Sequence, residues 1–141
     1  MKKLLSFLLL FSLTVFSLLS QNTLKIAVIS DIHFLGTDLA KSGEALTKYE
    51  NATVRNVNEL HAVLDEALKQ IEAAHVDALL ICGDLANHGE RQSHLELIRK
   101  LTPLKQKGIR IYVIPGNHDV NVPDAKAYVG NESSPTQTVS A

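Results

Sequence analysis

Ala78-Leu79-Leu80-Ile81-Cys82-Gly83-Asp84 is an apolar run that stops abruptly on a glycine and an acid. Its apolar character is continuous rather than alternating, as in a strand buried on both faces of a parallel sheet. Two further stretches read the same way, Leu24 to Ser30 and Ile109 to Ile114. Between the first and second lies a helical pattern with Leu60, Val63, Leu64, Ala67, Leu68 and Ile71 on one face and Glu59, Asp65, Glu66, Lys69 and Glu72 on the other. Between the second and third, Glu90 to Lys107 places Leu95, Ile98, Leu101 and Leu104 three apart. Pro103 should bend or shorten that helix, and Gly108 should end it. The order strand, helix, strand, helix, strand is a βαβαβ unit, which winds right-handed and gives a parallel sheet of α/β class.

The remaining segments are less periodic. Gly36 to Asn58, with Leu39, Leu46 and Tyr49 scattered through it, reads as a long excursion over one end of the sheet, of a length that often serves as a lid or binding loop. Gly130 to Ala141 suggests no element. No internal repeat and no block of like charge is present.

The chemistry lies where the strands end. The first runs into Ser30-Asp31-Ile32-His33, the second into Gly83-Asp84-Leu85-Ala86-Asn87-His88-Gly89, and the third into Pro115-Gly116-Asn117-His118-Asp119. In a parallel sheet all three clusters leave the same edge, where open α/β sheets hold their ligands. Asp31, His33, Asp84, Asn117 and His118 should therefore converge on one crevice. Carboxylate, imidazole and amide oxygen without thiolate suit Mn, Fe, Zn or Mg. Without cations, so many acids and imidazoles in one pocket would be costly to bring together.

Composition narrows the class. The 141 residues are 45% hydrophobic, 21% charged and 5% aromatic, with one Cys and a net charge of −1, which excludes a disordered tail and a disulfide scaffold. The first twenty residues differ from the rest. Met1-Lys2-Lys3 and a Leu- and Phe-rich run up to Leu19 form the pattern of a secretory signal peptide, with cleavage expected near Ser20. Residues 1–20 are thus read as leader and 21–141 as the folded part. The destination is periplasmic or extracellular, with a membrane anchor as the outcome if the leader stays attached. That leader holds two Lys and no acid, so residues 21–141 carry 12 basic against 15 acidic side chains, a charge of −3. Long nucleic acid is therefore not an expected partner. No stable membrane span is expected once the leader is gone, and oligomeric state is not legible.

Asp31-x-His33, Gly83-Asp84 and Gly116-Asn117-His118-Asp119, in this order and after these strands, resemble the first three motifs of the calcineurin-like metallophosphoesterases. The resemblance covers Lys25 to Asp119. It implies the N-terminal βαβαβ part of a four-layer α/β/β/α sandwich around two metal ions. It further implies that Asp31 and His33 bind one metal, that Asp84 bridges both and that Asn117 binds the other. His118 would stand at the leaving-group oxygen as proton donor or phosphate ligand. Two cations roughly 3.5–4 Å apart clamp a phosphate and acidify a bridging water, whose hydroxide attacks phosphorus in line. The implied activity is hydrolysis of small phosphomonoesters or phosphodiesters.

Two departures from the family pattern bear on the site. Where many relatives carry a second Asp and then Arg after the bridging acid, this chain has Asn87 and His88. Asn87 could hold the His118 imidazole, Asp119 could do so instead, and His88 could contact phosphate. The later His-bearing motifs are absent after Asp119, so 21–141 reads as the N-terminal part of a longer domain. On that reading the 141 residues alone bind metal weakly and hydrolyse little. A non-catalytic secreted module binding phosphate or nucleotide through a degenerate metal site is the alternative.

Other residues are expected to be structural. His61 and His75 read as surface histidines, His94 as solvated with a place at the site mouth as its other option, and Cys82 as a small buried core residue. Asn51-Ala52-Thr53 and Asn131-Glu132-Ser133 match a glycosylation sequon, a common chance match. No Walker loop or dinucleotide fingerprint occurs.

Overall fold

The computed structural model describes residues 23–140; the leader and its cleavage point lie outside the described residues. Eight elements follow in order: β1 (Ile26–Ser30), α1 (Glu44–Thr53), α2 (Val57–Ala73), β2 (Ala78–Cys82), α3 (Arg91–Gln106), β3 (Arg110–Ile114), β4 (Lys126–Val129) and β5 (Glu132–Pro135). The first three strands form a parallel sheet in the order β1-β2-β3. Ile26, Ala78 and Arg110 stand in register at one end, and Ser30, Cys82 and Ile114 at the other. The α/β class and the βαβαβ core expected from the sequence are both present.

Right-handed crossovers between strands laid down in sequential order place both connecting helices on one face of the sheet. Leu64, Leu68 and Ile71 of α2 and Leu97 and Leu104 of α3 accordingly share one core with Leu79 and Ile81 of β2 and with Ile32, Phe34 and Leu85. The opposite face is open among the described residues, with Val28 62% and Ile114 65% exposed. The expectation of strands buried on both faces is thereby corrected. Cys82 is corrected for the same reason: it pairs in register with Ser30 and Ile114 at the open end of the sheet and is exposed rather than in the core.

The helices also differ in detail from the sequence reading. Asn56 caps α2 by accepting from the Glu59 amide at 3.2 Å, and Val63 points to solvent rather than to the core. The buried side of α3 is Ser93, Glu96, Leu97 and Leu104, while Ile98 is exposed. The helix is rotated from the threefold leucine spacing because Ser93 and Glu96 have partners inside. Ser93 Oγ accepts from the Gly36 amide at 3.0 Å, and Glu96 Oε2 accepts from the Thr37 amide at 2.9 Å. Pro103 does not shorten α3, which continues to Gln106 before Gly108 (φ +91) ends it.

Residues 36–58 are not a bare loop. They contain α1, whose Ala45 and Leu46 join Leu35, Leu39, Val57 and Tyr128 in a second small core. Tyr128 comes from the β4–β5 hairpin, closed by Gly130-Asn131 with Val129 opposite Glu132; β5 falls in the stretch from Gly130 to Ala141, where no element was expected. The hairpin is stitched to the excursion by Tyr128 N–H to Leu39 O at 2.7 Å and Lys41 N–H to Tyr128 O at 2.9 Å. No described helix is long and apolar enough to cross a membrane.

Candidate metal centre

The ladder between β1 and β2 does not stop at the strand ends. His33 N–H donates to Asp84 O at 2.8 Å and Phe34 N–H to Leu85 O at 2.8 Å, while Gly83 N–H to Ile114 O at 2.8 Å extends the β2–β3 ladder in the same way. Between these bonds the backbone takes left-handed angles at Asp31 (φ 53), His33 (φ 47) and Asp84 (φ 44). Such angles cost non-glycine residues about 1–3 kcal/mol each and persist only where the surroundings enforce them. Here the alternate residues Ile32, Phe34 and Leu85 are buried in the main core and hold the turns in place. The polar side chains between them are turned to the rim.

Asp84 sits against the β3 turn. A Cβ on Gly116 would lie 2.1 Å from Asp84 Oδ1 and 2.4 Å from its amide nitrogen, so only glycine allows this approach. Across the contact, His118 N–H donates to Asp84 Oδ1 at 3.0 Å. His33 Nε2 stands 3.7 Å from Asp84 Oδ2. One ligand atom from each of His33, Asp84 and His118 lies within 4.8 Å of the other two. That is little more than two metal–ligand bonds of about 2.1 Å placed end to end.

The imidazoles of the corner pack edge to face. The His33 ring meets the His118 ring edge-on with centroids 5.0 Å apart, and the His88 ring meets His118 at 5.1 Å. Burial, then the Arg55 charge, lowers the His33 pKa below its ordinary value; Asp84 pulls the other way and is outweighed. Burial is also the main cause of the lowered pKa of His88. His33 Nδ1 is buried with no hydrogen-bond partner among the described residues. His118 Nδ1 lies 2.8 Å from the Asn87 carbonyl, which can only accept, so Nδ1 is the donor and Nε2 is left for the site. Imidazole rings, a carboxylate and an orphaned ring nitrogen in one corner fit a borderline divalent cation such as Zn, Mn or Fe.

Of the five residues expected to converge, His33, Asp84 and His118 are the ones brought close together. Asp31 is exposed at the rim and lines a cavity of about 170 Å³ with His33 and Arg55. Asn117 is exposed on the turn of residues 117–119, next to His118, which belongs to the close trio. Larger hollows lie elsewhere; one of about 560 Å³, among Glu72, His75, Asp77, Lys107 and Arg110, is at the opposite edge of the sheet.

Asn87 and Asp119 act differently from the sequence expectation. Asn87 is buried and carries His118 by its backbone carbonyl, not its amide. Its side-chain Oδ1 instead accepts from Tyr49 Oη and from Arg55 Nη1, each at 2.7 Å. Asp119, also buried, does not contact the His118 ring. Its Oδ1 accepts from the Ala86 amide at 2.9 Å and its Oδ2 from the Gly116 amide at 2.6 Å, tying the turns after β2 and β3 together. His88, held by its own N–H to Glu90 Oε2 at 3.0 Å, packs between Tyr49 and His118.

Several supporting residues escaped the sequence reading. His94 is not a solvated helix residue: its Nε2 is 3.0 Å from the Asp119 carbonyl oxygen, beneath the site. His61 is half-buried, its ring against Phe34 at 4.6 Å, whereas His75 is exposed as expected. Tyr49 and Arg55 arrive from the 36–58 excursion through contacts 38 and 32 residues long, which no local pattern announces.

The family profile of calcineurin-like phosphoesterases matches residues 24–139 and so contains all three strand-end clusters. None of the curated proteins compared with the chain matches it. A parallel sheet, glycine-shaped turns after its strands, a His–Asp–His corner at their tips and a profile match over most of the sequence agree. The chain belongs to the calcineurin-like phosphoesterase family.

Proposed function

We propose that the protein is an exported metal-dependent hydrolase of phosphoester bonds, acting on small mono- or diesters at a dinuclear centre held by Asp31, His33, Asp84 and Asn117. Family membership supports the reaction class. The observation that carries the reading is the His33–Asp84–His118 corner at the sheet's carboxyl edge. Export is supported by the leader pattern of residues 1–20. Bound divalent ions would neutralise phosphoryl charge and make a water acidic enough to act as nucleophile near neutral pH.

The protein's own residues have separable tasks. Asp84, pinned by the His118 amide and by the flat face of Gly116, presents its second oxygen to the site. His33 offers a neutral ring nitrogen. His118, anchored through Nδ1 by the Asn87 carbonyl, would carry a second proton on Nε2 and give it to the departing oxygen, which leaves as the alcohol. Asp119 fixes the distance between the two turns that carry Asp84 and His118.

The test uses full-length protein, measuring metal content and turnover of 4-nitrophenyl phosphate and bis(4-nitrophenyl) phosphate. Asp84→Asn should lose metal and activity together. His118→Ala should lower turnover about 10²–10⁴-fold, the worth of a general acid, while keeping most of its metal. A metal-loaded wild type that binds phosphate yet turns over neither ester would contradict the reading and favour a binding module.

A further inference from the structure

Arg55, in the short link between α1 and α2, is half-buried beside the metal corner. Its Nη1 donates to Asn87 Oδ1 at 2.7 Å and to Tyr49 Oη at 3.1 Å. Both acceptors are neutral. Among the described residues no carboxylate pairs with this guanidinium, and its Nη2 and Nε groups make no hydrogen bond. An arginine taken partly out of water without an anion is costly, and the unused edge of its fork matches the spacing of two oxygens on a phosphate.

Its surroundings place the guanidinium beside residues of the first strand-end cluster. Arg55 shares the wall of the cavity of about 170 Å³ with Asp31 and His33. The bonded edge is fixed by Asn87, which is 1% exposed and whose carbonyl carries His118. The guanidinium is thus held rigidly to the same residue that orients the His118 ring. A phosphoryl group there would meet a cation already in place, with little ordering cost on binding.

We propose that Arg55 is the phosphoryl-binding cation of this site, supplied by the α1–α2 link and pre-set by Tyr49 and Asn87. The inference rests on the phosphoesterase reading for its occupant. It assigns the 36–58 excursion a direct part in substrate binding, through a residue that none of the three strand-end clusters contains.

Inorganic phosphate is the probe, its binding to full-length protein followed by calorimetry with Mn²⁺ and again in EDTA. With Mn²⁺, Arg55→Gln should raise the phosphate dissociation constant about tenfold or more, and Arg55→Lys, which keeps charge but loses the fork, about threefold. Mn²⁺ affinity should stay within about twofold in both, as the residue is not a ligand. Circular dichroism checks folding; if the Gln variant is unfolded, the Lys variant carries the comparison. Wild-type phosphate affinity in the folded variants with Mn²⁺ bound overturns the inference and leaves the hydrolase reading standing. Lost turnover at unchanged phosphate affinity also overturns it, since Arg55 would then act only by positioning His118 through Asn87. Should the wild type bind no Mn²⁺, the hydrolase reading falls and the EDTA arm decides Arg55 alone. Phosphate binding that the Gln substitution abolishes sustains the inference there, and binding it leaves unchanged refutes it.

Discussion

Gly116→Ala should damage the metal corner from outside it. The added methyl would stand 2.1 Å from Asp84 Oδ1 and 2.4 Å from the Asp84 amide nitrogen, neither of which is the end of a long flexible chain. Restoring ordinary contact requires the β3 turn and Asp84 to separate by about 1 Å, a shift that in an active site costs on the order of 10²-fold. The strain is of the overpacking kind, about 1–3 kcal/mol. The same movement lengthens two bonds that cross the gap, His118 N–H to Asp84 Oδ1 (3.0 Å) and Ala86 N–H to Asp119 Oδ1 (2.9 Å). Urea unfolding of metal-free protein reads the strain, and calorimetric titration with Mn²⁺ reads the loss of ligand geometry, expected at about 10–100-fold in affinity. An alanine variant with wild-type stability and wild-type Mn²⁺ affinity would refute the reasoning that this glycine sets the position of Asp84.

Other outcomes follow from the same contacts. Asp119→Ala leaves the Ala86 and Gly116 amides without their acceptor and should cost about 2–5 kcal/mol in chemical denaturation; a loss under about 1 kcal/mol would show that water replaces the carboxylate. Phe34→Ala empties a fully buried position under the β1 turn and should cost about 3–5 kcal/mol, with metal affinity falling as well, because Phe34 underlies the turn that carries His33. In metal-free protein the lowered pKa values of His33 and His88 make stability pH-dependent. The unfolded chain takes up these protons near 6.5 and the folded chain only at lower pH, so the contribution is whole above about pH 6.5 and is lost as pH falls through the folded values. A urea midpoint that rises between pH 7.5 and 5.5 would contradict this. Tyr128, its pKa raised to about 12 mainly by burial, should give its phenolate absorbance well above the usual range near 10; stability from its neutral form is present below pH 10 and lost as pH rises through about 12.

What was legible in the sequence was local. Ala78 to Asp84 shows its strand, its turn and its acid in consecutive residues, and the same holds for Ile109 to Asp119 and Leu24 to His33. Since a parallel sheet sends every strand's carboxyl end to one edge, these three stretches sufficed to bring His33, Asp84 and His118 together. The illegible parts depend on contacts across the chain. Nothing near Arg55 or Tyr49 indicates Asn87 as partner, and α1 shows few apolar positions because Leu39, Val57 and Tyr128 complete its core from elsewhere. The side chain of Asp119 looked available for His118, but two amides from neighbouring turns claim its oxygens. Asn87 misled for a related reason: its residue type drew attention to the amide, while the carbonyl any residue has does the holding. The open sheet face escaped notice because apolar strands read alike whether one or both faces are covered.

Anomalous diffraction from Mn²⁺-soaked crystals of the full-length protein tests the central claim most directly. A peak bonded at about 2.0–2.2 Å to Asp84 and His33, at the carboxyl edge of the parallel sheet, is the predicted result. Saturating Mn²⁺ with no density at that edge, or density only at the opposite edge among Glu72, His75 and Asp77, would contradict it.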